Sequence, residues 1–332
     1  MTGLTDPPTW SGTAADPNDE QFGDVVTPRV GDLETALASH DVALLGEPFD
    51  EAVIGRPGAR HGPASLREEL ASLKTHHFAN GPVDALLDLG DVRLDTSDID
   101  DAETTVADVQ RQVGDVAARV HDGDAFPVFL GGDNSLTYAN VAPLLDGTNA
   151  ANARSVGVLN LDAHLDVREV HDGPTSGTPY RQLFDDGLAS YACLGARHFE
   201  TSGAYAEFVR DRDGLVVTSE EVGAGLDDAL DRALTAMGGV DALYVSVDLD
   251  VLDAAHAPGV SAPTPGGLTT RELFALLRRV GADDRLAGFE VVECAPPLDR
   301  ESLTSRAGAR AIAHLLAGRR EGTMTDASGV VR

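Results

Sequence analysis

From about residue 41 the chain alternates short apolar runs with amphipathic stretches of ten to twenty residues. Residues 42–45, 126–130, 156–161, 243–247 and 286–292 read as strands, because each is a continuous apolar run of strand length bounded by polar or glycine-rich segments. Residues 102–120, 226–236, 269–280 and 305–317 carry their apolar positions at helical spacing and read as helices. Buried strands alternating with helices predict a mainly parallel sheet covered on both faces, since each crossover helix must bury its apolar stripe on the sheet. The expected fold is α/β, a three-layer αβα arrangement in a single domain over 37–320, with ligands bound beyond the carboxyl ends of the strands. Residues 1–36 break the pattern. Pro7, Pro8, Pro17, Pro28 and several acids without an apolar period predict a mobile acidic extension, and 321–332 reads as a C-terminal tail.

Three strand ends carry polar clusters. Gly131-Gly132-Asp133-Asn134-Ser135 follows 126–130, Asp162-Ala163-His164-Leu165-Asp166 follows 156–161, and 243–247 runs into Asp248-Leu249-Asp250. Alternate residues of an extended backbone share a side, so these carboxylates and the imidazole should converge on one crevice. Four carboxylates in one place repel unless cations neutralise them. Oxygen ligands with one imidazole suit Mn²⁺ better than a thiolate-seeking metal, and two ions roughly 3.5–4 Å apart form a known hydrolytic arrangement. The alternative is that these acids are solvated loop residues in an acid-rich chain.

Charge narrows the partners. The 332 residues hold 25 basic and 55 acidic side chains, a formal charge of −30, which repels phosphate backbones and anionic membranes. Neither nucleic acid nor a membrane is expected as a partner. Lys74 is the only lysine and the acids are spread along the chain, a pattern that suggests a halophilic proteome. In about 1 M salt the Debye length is about 3 Å, so surface carboxylates stop repelling while still holding water and cations. Cys193 and Cys294 are too few for a disulfide framework and read as reduced. No run is long and apolar enough to span a bilayer, and the first residues lack a signal-peptide pattern, so a cytoplasmic enzyme is expected.

The segments 131–135, 162–166 and 246–253 (Ser-Val-Asp-Leu-Asp-Val-Leu-Asp) resemble, in order and spacing, the three metal-binding signatures of the ureohydrolases, the arginase and agmatinase superfamily. Gly46-Glu-Pro48, the stretch 56–63 (Arg-Pro-Gly-Ala-Arg-His-Gly-Pro), Leu89-Gly-Asp91, the stretch 258–263 and the stretch 292–296 (Val-Glu-Cys-Ala-Pro) are similar to further family segments, and the likeness covers about 40–318. The resemblance implies two Mn²⁺ per subunit in a homo-oligomeric enzyme. It makes Asp162 and Asp248 bridging ligands, gives Asp166 and Asn134 to one ion, and gives His164 and Asp250 to the other. Asp166 would also orient the metal-bridging hydroxide, and Glu293 falls where the family places the carboxylate that pairs with the substrate's amidine-like cation. Many members have histidine at the position of Asn134; an amide oxygen is a weaker neutral donor, whose other use would be to cap the following helix.

The flanking loops bear on the substrate. Ser176 stands where arginases and agmatinases carry histidine, and 174–182 resembles the formimidoylglutamase branch of the family, as does 259–263. Arg168 lies two residues past Asp166, at the rim of the crevice, where a guanidinium would bind a substrate carboxylate bidentately. Arg181 is a second candidate for the same role. The implied reaction is hydrolysis of N-formimidoyl-L-glutamate to L-glutamate and formamide in histidine degradation. Asp166 would return a proton to the leaving amine, because the usual histidine donor is absent. Two other readings stay open, a guanidino hydrolase of the agmatinase or arginase kind and a paralogue that kept the fold without turnover. The remaining histidines, His61 and His171 among them, read as surface or core residues.

Overall fold

The structure, a computed structural model, describes residues 3–94, 104–145 and 154–328, with side chains to residue 320. Strands β1 (Thr27–Pro28), β2 (Val42–Gly46), β5 (Leu86–Asp91), β6 (Phe126–Leu130), β7 (Val156–Leu161), β8 (Ser190–Ala196), β9 (Leu215–Thr218), β10 (Ala242–Asp248) and β11 (Leu286–Val292) form one parallel sheet in the order β1-β5-β2-β6-β11-β10-β7-β8-β9. A separate antiparallel pair, β3 (His76–His77) and β4 (Gly81–Pro82), lies outside it. The α/β three-layer arrangement expected from the alternation is the one observed.

Alternate residues of the central strands feed two cores. Leu44, Leu159, Leu161, Val245 and Val247 join one hydrophobic cluster, while Ala43, Leu45, Val156, Val158 and Tyr244 join the other. Burial on both faces is why these strands are continuous apolar runs with no alternation. Each cluster is roofed by amphipathic helices. In Thr270–Val280 the buried residues Leu273, Leu276, Leu277 and Val280 fall at three- and four-residue spacing, and Thr269 with Glu272 closes a capping box at its start. Thr105 and Asp108 do the same for Val106–His121, whose start the apolar pattern had placed at 102, a residue outside those described. The last helix, Leu303–Ser328, continues past 317 into the segment expected as a tail. Among the described residues no helix is long and apolar enough to cross a membrane.

Residues 3–36 differ from the expected free extension. Phe22 is buried, Thr27 and Pro28 pair with Leu87 and Asp88 of β5, and Thr5 N–H donates to Asp91 O at 2.8 Å. Isolated anchors such as Trp10, Phe22 and Val26 have no period, so pattern reading passes over them although each finds a partner. β5 escaped detection for a related reason, because Asp88 interrupts its apolar run. The fold accommodates that acid with Arg67, whose Nε and Nη2 lie 2.8 and 3.0 Å from its two oxygens, and with the Trp10 indole N–H at 2.7 Å.

With 55 acids against 25 bases, most surface carboxylates have no cation to pair with. Their repulsion reaches about 30 Å at 0.01 M salt and about 3 Å at 1 M. The thermal midpoint should therefore rise by on the order of 5 °C or more between those conditions. Thermal melts by circular dichroism across a NaCl series check this, and a flat midpoint would contradict it.

Candidate metal centre and substrate cavity

Four neighbouring strands, β6, β11, β10 and β7, end side by side at the middle of the sheet. Val247 of β10 pairs with Leu161 of β7, so Asp248 and Asp162 leave the sheet at the same level, and Asp248 also pairs with Val292, just before Glu293. The two aspartates build matching turns. Asp162 Oδ1 accepts from His164 N–H at 2.7 Å, and Asp248 Oδ1 accepts from Asp250 N–H at 2.8 Å, which turns His164 and Asp250 back into the crevice. Asp166 (φ 44°) and Glu293 (φ 62°) adopt left-handed backbone that side chains other than glycine rarely take, strain of a kind that concentrates at functional sites. Gly132 permits the approach of the neighbouring loop, since a Cβ there would lie 1.7 Å from Phe49 O.

Side-chain ligand atoms of Asp162, His164 and Asp250 come within 4.8 Å of one another, and so do those of Asp162, Asp166 and Asp248. Asp162 is common to both groups, while Asp248 falls in the second alone. Burial, followed by mutual repulsion, raises the Asp166 and Asp248 carboxyls well above the usual carboxylate range, and burial raises Asp162 against the opposing pull of His164. Burial disfavours a charged His164, but Asp250, 3.1 Å from its Nδ1, and Asp162 more than offset this and raise its pKa. Among the described residues His164 is the only side-chain cation in ion-pair contact with these four carboxylates. Such a set, oxygen-rich with one imidazole and short of positive charge, fits hard divalent cations.

Two residues beside the cluster carry no sequence signal. Glu200 Oε2 lies 3.1 Å from His164 Nε2, and Arg197 binds the same carboxylate through Nε and Nη2 at 2.8 and 3.0 Å. Burial opposes its charge, but the bonds from His164 and Arg197 hold the Glu200 carboxyl down at about 2. A carboxylate on the far nitrogen fixes an imidazole's ring orientation and tautomer, as in carboxylate–histidine–metal triads. The second is Thr137, which hydrogen-bonds Asn134. Glu200 belongs to a segment remote from the motif it serves, whereas Thr137 lies three residues past Asn134, just outside the first motif.

A cavity of about 150 Å³ opens beside the cluster, lined among others by Ile54, Asp166, Arg168, Ser176, Asp250 and Glu293. Glu293 is buried; its Oε1 accepts from Asn134 N–H at 3.0 Å, while Oε2 has no hydrogen-bond partner among the described residues. Burial, then the charge of Asp133, raises its carboxyl well above the usual range. Arg168 is exposed at the rim, its stem lying across Gly177, where a Cβ would come 2.6 Å from Arg168 Cδ. Ser176 Oγ accepts from Ile54 N–H at 3.1 Å and keeps its own proton free to donate. Asn134 is buried, with Nδ2 2.6 Å from Asp166 Oδ2. Arg181 is placed elsewhere. Its guanidinium stacks 3.4 Å above the Phe208 ring and its Nε donates to Val167 O at 3.0 Å, so it braces the loop behind Arg168 and does not line the cavity.

A parallel sheet that gathers four aspartates and a histidine at its central strand ends defines a hydrolase of the arginase type. The chain belongs to the Arginase family, whose profile matches residues 40–318. It is 57% identical over 311 residues to the formimidoylglutamase of Halobacterium salinarum, an alignment covering 93% of this chain and 97% of that one. The crystal structure of formimidoylglutamase from Bacillus subtilis is similar with a TM-score of 0.83 at 29% identity, covering 93% and 95% of the two chains. That of Trypanosoma cruzi formiminoglutamase with Mn²⁺ gives 0.78 at 26% identity, covering 91% and 99%. Family and hydrolase class, expected from the resemblance of three strand-end motifs, both hold.

Proposed function

We propose that the chain hydrolyses N-formimidoyl-L-glutamate to L-glutamate and formamide, the step implied in histidine degradation, with two Mn²⁺ held by Asp162, His164, Asp166, Asp248, Asp250 and Asn134. The observation that carries the reading is one small cavity with a buried, unpartnered carboxylate oxygen on Glu293 and a guanidinium on Arg168 at its rim. A substrate with a cationic formimidoyl group and a dicarboxylate body matches both ends. Agmatine, which has no carboxylate, would leave Arg168 without a counter-charge. Relatives bearing the formimidoylglutamase name, at up to 57% identity, support the same substrate.

When bound, the two cations supply positive charge for the developing tetrahedral centre and a water activated near neutral pH. Glu293 Oε2 accepts from the formimidoyl N–H groups and holds that carbon beside the aspartate cluster. Arg168 and Ser176 receive the carboxylates. Asp166, at the cavity wall, takes a proton from the attacking water and returns it to glutamate's nitrogen as the carbon–nitrogen bond breaks. Water's oxygen forms the new carbon–oxygen bond of formamide, and its second proton, released as that bond becomes a carbonyl, passes to the departing amine, which leaves as the ammonium and carries the charge the formimidoyl cation brought.

A panel of formimidoylglutamate, arginine and agmatine with added Mn²⁺ tests the assignment. Formamide release from the first, at least about 100-fold above urea release from the others, is the expected result, since the lost carboxylate pair and the unpaired guanidinium act together. Urea with no formamide would reverse it.

A further inference from the structure

Behind Asn134 the core holds polar side chains that touch neither the cavity nor the cluster. Thr137 Oγ lies 2.7 Å from Asn134 Oδ1 and 2.6 Å from Glu290 Oε1. A hydroxyl has one proton, so it cannot donate to both. Glu290 Oε2 accepts from Asn140 Nδ2 at 2.9 Å and from the Tyr244 hydroxyl at 3.0 Å. Asn134, Thr137, Asn140, Tyr244 and Glu290 are all at most 1% exposed, so solvent cannot make up a missing donor. Burial raises the Glu290 carboxyl, while the hydrogen bonds from Asn140, Thr137 and Tyr244 oppose that shift and favour its charged form. With donors converging on both its oxygens, Glu290 is the strongest acceptor within reach of Thr137 and takes its proton. Thr137 Oγ is then left with lone pairs facing Asn134.

The two ends of a primary amide have nearly the same shape, and rotation about Cβ–Cγ exchanges them without disturbing the packing. With Nδ2 toward Thr137, one amide N–H, the Thr137 hydroxyl and a Glu290 oxygen form an unbroken donor-to-acceptor chain. The amide oxygen then stands where Nδ2 is, 2.6 Å from Asp166 Oδ2, on the side of the aspartates. The opposite orientation suits Asp166 alone, because NH₂ donates to a carboxylate, but it would point two N–H bonds at a cation shared with that carboxylate.

We infer that Thr137 and Glu290 are positioning residues that turn the Asn134 amide with its oxygen toward the cation, and so make a neutral side chain a competent ligand. The inference rests on the reading of Asn134 as a ligand. It gives Glu290, remote from the substrate, a function in metal retention.

The test is retention of Mn²⁺ by the loaded full-length enzyme against a competing chelator, read as metal per chain, with circular dichroism confirming that each variant is folded. Thr137→Val, which keeps the shape and removes the hydroxyl, should weaken Mn²⁺ binding about 10- to 100-fold. Thr137→Ser should stay within about twofold of the parent. In the Asn134→Asp background, where the two oxygens are equivalent and no orientation need be set, Thr137→Val should cost less than about twofold. Glu290→Gln, which can donate toward Thr137 and reverse the proton's direction, should repeat the pattern and carries the test if Thr137→Val does not fold. Unchanged Mn²⁺ retention in Thr137→Val, or an equal loss in both backgrounds, would overturn the inference. Asn134→Ala with undiminished retention would instead remove the ligand reading on which it stands, while tighter binding in Asn134→His would support that reading.

Discussion

Asp162→Ala should stop turnover and release metal, with kcat down by roughly 10³ or more and fewer than two Mn²⁺ retained per chain. Asp162 is the carboxylate common to both ligand groups, and it is fully buried at the end of β7. Its removal takes a negative charge from each cation position and also frees His164 N–H, which it holds in the turn at 2.7 Å. Asp248 cannot make up the loss, since its own carboxylate is fixed by Asp250 N–H. Metal analysis of the purified variant beside steady-state assays decides the point. Two tightly held ions in the alanine variant would refute the shared role, whatever the activity.

Arg168→Ala should lose about 30-fold in kcat/KM for formimidoylglutamate and keep its metals. Removing one partner of a hydrogen-bonded charge pair costs about 2–5 kcal/mol. Because Arg168 is exposed at the rim, solvent screens the pair and the low end applies, about 2 kcal/mol, which is roughly 30-fold. The loss should be specific. Hydrolysis of formamidine, a small amidine with no carboxylate, should be unchanged or improved, since the variant removes a cation from the path of a cationic substrate. Kinetics on both compounds distinguish this from a structural effect. An equal fall on both would mean that Arg168 supports the loop 166–168, which its backbone N–H ties to Gly177 O at 2.9 Å and across which its stem packs on Gly177.

How much of this was legible in the chain follows from the range over which each feature is encoded. Strands β6, β7 and β11 were read to the residue because burial on both faces leaves an unbroken apolar run, a purely local signature. β8 and β9 lie toward one edge of the sheet, carry weaker runs and were passed over. β5 was hidden by Asp88, which is acceptable in a strand only because Arg67, from a different helix, neutralises it. The N-terminal segment was misjudged for the same reason: the value of Phe22 or Trp10 depends on the surface it meets.

The metal site divides along the same line. The convergence of Asp162, His164, Asp166, Asp248 and Asp250 was legible because alternate positions after a strand converge wherever the strand happens to lie, so the candidate ligand set is written into spacings of two residues. The same spacing placed Arg168 at the rim with Arg181 as second candidate, but it could not say where Arg181 goes. Both are arginines close to the same loop, and they were separated by Phe208, some thirty residues further on, which captures one guanidinium while the other is left at the cavity rim. Glu200 beneath His164, and Glu290 behind Thr137, are likewise ordinary acids in the chain. They gained their partners when β8 and β11 were laid down near β7 and β6, because hydrogen bonds across strands depend on sheet order and register, and neither is contained in any short stretch of sequence.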